Sequence, residues 1–123
     1  MNYYEFLEHC INDGIAGAKA DYNKESQKDK LDGSIAGFEA CRNKTPEQLA
    51  GILVVAQVDA NHAMLKREEN YWYHRCFEIE VAWVCNVVGA MLWAQNKQHD
   101  FVVTARGTLR ADEILKRAKA ELN

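Results

Sequence analysis

The stretch that decides the fold is residues 46–95, PEQLAGILVVAQVDANHAMLKREENYWYHRCFEIEVAWVCNVVGAMLWAQ. It opens on Thr45-Pro46-Glu47-Gln48, where Thr45 can cap a helix, Pro46 fills the first helical position and Gln48 completes a capping box. A helix therefore begins at 46. No proline follows before the end of the stretch, and glycine occurs only at 51 and 89. A heptad-like trace runs through Leu49, Leu53, Ala56, Ala60, Ala63, Arg67, Asn70, His74, Phe77, Val81, Val84, Val88 and Met91. Its phase survives the polar patch Lys66-Arg67-Glu68-Glu69-Asn70, which consists mostly of good helix formers. One continuous helix would be about 75 Å long. A compact chain of this size has a radius of gyration near ~14 Å. Either the helix is continuous and a dimer partner covers its ends, or it breaks near 66–70 into an antiparallel hairpin inside a compact bundle. The absence of a breaker residue favours the continuous helix.

Outside this stretch the pattern is also helical. Tyr3, Phe6, Leu7, Cys10, Ile11, Gly14 and Ala18 recur at three- and four-residue spacing, so residues 3–22 form a first helix with Asn2 as N-cap. Lys24 to Arg42 repeats the pattern with Leu31, Ile35, Phe38 and Cys41. Both helices carry small residues (Gly14, Gly17, Ala18; Gly33, Gly37, Ala40), which points to close packing of the first helix on the second. Beyond Gln95, a polar loop and the short apolar Phe101-Val102-Val103 lead to a last helix, capped by Thr104 or Thr108 and reaching about Leu122. The expected architecture is all-α: a single domain over 1–123, with two N-terminal helices, a long central helix or hairpin over 46–95, and a C-terminal helix.

The chain has 123 residues, 48% hydrophobic and 27% charged, with a net charge of −3. That size and balance suit one globular domain with a real core. The bulk charge gives no reason to expect nucleic acid. The last helix is mildly basic through Arg106, Arg110, Lys116, Arg117 and Lys119, which leaves a nucleic-acid-binding accessory role as a minor alternative. No secretory leader or membrane-length apolar run is visible. Cys10, Cys41, Cys76 and Cys85 show no metal or redox spacing and read as reduced core thiols of a cytoplasmic protein.

Chemistry-bearing residues concentrate in 71–95, which holds all three tryptophans. Glu78, Glu80 and Asn86 lie in its apolar part and require buried polar partners, with Arg75, Arg42 or Arg106 as neutralisers. Glu78 and Glu80 stand about 200° apart around a helix, so they cannot act as one paired carboxylate. Asp59 with His62, and His74 with Glu78, are ligand pairs on helix faces; a hairpin would turn the two pairs toward each other, and a continuous helix would hold the histidines about 18 Å apart. These four define the alternative of a small-ligand or metal-dependent enzyme with a site between helices. Glu5 and Glu8 supply one ExxE, but the ExxD that an all-helical nucleotide pyrophosphohydrolase needs does not follow. There is no Gly-rich phosphate loop and no nucleophile signature, and no cofactor is expected. Tyr71-Trp72-Tyr73 spreads three aromatics around the helix beside Arg75, a pattern common at interfaces. Tyr71, Trp72, Arg75 and Glu78 are therefore the expected partner-contact residues.

The block KLDGSIAGFEACRNKTPEQLAGIL (30–53), with YWYHRCFEIEVAWVCN (71–86), resembles small helical proteins of phages and prophages that have no assigned activity. The resemblance covers about half of the chain. It implies action by binding host or phage macromolecules, including inhibition of host defence systems, and assigns no residue a role. The combined expectation is a non-enzymatic protein that works by protein–protein contact, as a possible homodimer.

Overall fold

A computed structural model describes the backbone over residues 2–96 and the side chains over residues 2–92. Among these residues there are four α-helices and no strand: α1 (Tyr3–Asp21), α2 (Lys28–Ala40), α3 (Pro46–Leu65) and α4 (Tyr71–Asn96). The C-terminal helix expected after residue 104 lies outside the described residues, as do its caps and basic side chains.

Each start has a local cause. Asn2 Oδ1 accepts the Glu5 N–H at 2.9 Å, and Asn2 Nδ2 donates to the Glu5 carboxylate at 2.9 Å. Thr45 Oγ1 accepts the Gln48 N–H at 3.2 Å while the Thr45 N–H donates to Gln48 Oε1 at 2.9 Å, so the capping box is complete. The second helix differs from the expectation at its start. Glu25–Gln27 forms a single 3-10 turn, closed by the Lys24 N–H on Gln27 Oε1 at 3.3 Å, before α2 proper begins.

The continuous helix over 46–95 is not what forms. The chain turns between Leu65 and Tyr71, and α3 and α4 make an antiparallel hairpin. The turn is a full Schellman closure. The Glu68 N–H donates to the Ala63 carbonyl at 3.0 Å, and the Arg67 N–H to that of Met64 at 3.2 Å. Arg67 occupies the left-handed position between them, with φ of 51°. Glycine usually stands there. An arginine carries no signal of a stop, which is why the sequence pattern runs straight through the turn. What favours the turn is burial. On α3, Leu49, Leu53, Ala56, Ala60 and Ala63 face α4, and the alanines let the two helices approach closely.

α4 is the hub, packed against α1, α2 and α3. Val81, Val84, Val88 and Met91 join Phe6, Leu7 and Ile11 of α1 with Phe38 of α2 in one core. The four cysteines are buried. The glycines act differently from the expected α1-on-α2 packing. Gly33 and Gly37 of α2 lie against the backbone of α4: a methyl at Gly33 would collide with the Tyr73 carbonyl, and one at Gly37 would stand 2.7 Å from that of Phe77. Only Gly14 serves the α1–α2 contact, against the Phe38 ring.

Candidate functional site

The buried polar centre lies on the side of α4 that faces α3. Arg75 and Glu78 are one turn apart and only 2% and 4% exposed. Arg75 Nη1 donates to Glu78 Oε1 at 2.5 Å, its Nη2 donates to Asn61 Oδ1 at 3.2 Å, and its Nε donates to the Tyr71 hydroxyl at 3.0 Å. The guanidinium also lies 5.3 Å from the centre of the Tyr71 ring. One arginine thus neutralises the buried acid and ties the first turn of α4 to the last turns of α3. Arg42 does not serve Glu78. It clamps α1 to α2 through Glu8 at 2.7 Å and Glu39 at 2.9 Å. Arg106 is outside the described residues.

This corrects the expected contact set. Arg75 and Glu78 are interior, so neither can meet a partner. Tyr71 is half-buried over the network, and Trp72 is the exposed member at 47%, with Lys30 Nζ 4.5 Å from its ring centre.

The grouping of Glu78, Glu80 and Asn86 into one network also fails, because the three leave α4 in different directions. Glu80 borders a cleft of about 280 Å³ on the α1–α2 side, with Asp13, Gly17, Asp21, Tyr22, Phe38 and Trp83. Burial, and then the nearby Asp21 carboxylate, push the Glu80 carboxyl up to about 7, against a small opposing effect of Ser34. Asn86 is buried elsewhere, and its Nδ2 has no hydrogen-bond partner among the described residues.

The hairpin does not gather the four metal candidates either. Asp59 and His74 share a small cleft of about 140 Å³ with Tyr73 and Phe77. His62 instead lies 3.7 Å from Glu68 in the turn, His74 is engaged with Asn70 at 3.1 Å, and Glu78 is held by Arg75. Among the described residues no three ligand-type side chains come together in a way that could hold a metal. His62 is thus turned to Glu68 of the turn and His74 to Asn70, so the two rings do not share a site.

Sequence reasoning missed the outward side of α3. Val54, Val55, Val58, Met64 and Leu65 are exposed, with Val58 at 61% and Leu65 at 76%. Val54, Val58 and Leu65 lie opposite the Leu49-Leu53-Ala56-Ala60-Ala63 seam, while Met64 flanks it and its sulfur meets Arg75 at 3.9 Å. Beside them runs an open groove of about 550 Å³ bounded by Ala40, Lys44, Gln48, Gly51, Ile52 and Phe77. The signal was present: Val54, Val55, Val58 and Leu65 stand outside the Leu49-Leu53-Ala56-Ala60-Ala63 seam, interleaved with the polar Asp59, Asn61 and His62. Assigning the residues to a single long heptad trace hid the second stripe. No described helix is long and apolar enough to cross a membrane. Comparison with known protein families, with curated proteins and with solved structures returned no match.

Proposed function

We propose that this chain is a non-enzymatic, cytoplasmic protein that works by protein–protein contact through the outward side of α3 and the adjoining hairpin end at Tyr71. The phage-type regulator or inhibitor of host defence implied by the sequence resemblance is its most concrete form. One observation carries the reading. Val54, Val55, Val58 and Leu65 are exposed apolar side chains on a well-formed helix whose other side is already committed to α4. Contiguous exposed apolar surface marks interaction sites. Arg75 supports the role from within, by bonding Asn61 of α3 and the Tyr71 hydroxyl at the start of α4.

The test is the native size of the protein in an extract of the cell that produces it. The wild type should elute above the 14.0 kDa of the free chain. A Val54→Glu/Val58→Glu variant, with helicity unchanged, should elute as the free chain. Wild-type protein that elutes as the free chain would sink the reading.

A further inference from the structure

We draw no further inference here: the strongest candidate, the cleft where α4 meets α1 and α2 and which Asp13, Asp21 and Glu80 line beside Tyr22 and Trp83, rests on a cluster of acidic side chains alone, and nothing else among the described residues points to a ligand for it.

Discussion

Arg67→Gly reverses its expected sign between the two readings of residues 46–95. In the hairpin, Arg67 holds the left-handed position of a Schellman turn, with φ of 51°. An L-residue with a side chain pays about 1–2 kcal/mol there, and glycine does not. Arg67 is exposed, and among the described residues no hydrogen bond or ion pair of its side chain offsets that cost. Replacement by glycine should therefore stabilise the fold by about 1 kcal/mol, after allowance for the greater freedom of glycine in the unfolded chain. In a continuous helix the same change would place glycine in a helix interior and cost about 1 kcal/mol. The assay is urea unfolding followed by circular dichroism, with wild type and variant at the same low concentration. The midpoint should rise at unchanged slope. In thermal unfolding the gain corresponds to about 4 °C for a chain of this length. Arg67→Val, which forces a β-branched residue into the left-handed region, should shift the midpoint the other way. A fall for Arg67→Gly, of the size seen for glycine at an ordinary helical site, would refute the turn.

Other perturbations follow from the same structure. Arg75→Ala should destabilise by about 3–5 kcal/mol, because it removes the guanidinium bonded to the Glu78 carboxylate, which is 4% exposed. Adding Glu78→Leu should recover much of that loss, and a loss under about 1 kcal/mol for the single variant would remove the network from the account. For Glu80, the native chain holds a proton up to about 7 that the unfolded chain releases near 4.5. Stability attributable to Glu80 should thus fall as pH rises through that window, by about 2 kcal/mol once residual solvent contact is allowed for. Glu80→Gln should remove that slope, which a urea titration repeated across the window would detect. Gly33→Ala should destabilise by about 1–3 kcal/mol despite better helix propensity, since its methyl meets the Tyr73 backbone. Gly17→Ala, in open space, should instead stabilise by about 1 kcal/mol. Equal effects at the two sites in thermal melts would contradict the close α2–α4 approach.

Local chemistry was the legible part of this chain. The caps at Asn2 and Thr45 involve neighbouring residues, so their spacing is enough to read them. The apolar seams of α1 and α3 follow from periodicity, and the opposed directions of Glu78 and Glu80 follow from helix geometry alone. The turn at Arg67 was hidden because it is fixed by the gain from folding α3 onto α4 and not by a residue that forbids helix. The same tertiary gain decided the site. It drew Arg75 inward to Glu78, offset His62 from His74, and turned one side of α3 outward. The partner of a long polar side chain depends on which helices meet, and Arg75 and Arg42 were equivalent until the hairpin chose between them. The exposed Val54-Val58-Leu65 line could have been found by asking which apolar residues of α3 fall outside its single seam.

The most direct test is a photo-cross-linking residue placed at Val58 in the native cell, with the same residue at exposed Glu25 as control. Covalent protein adducts should form from position 58, whether with a second copy or with another protein, and not from position 25. Adducts from position 25 alone, or none from either, would contradict the assignment of the contact surface to α3.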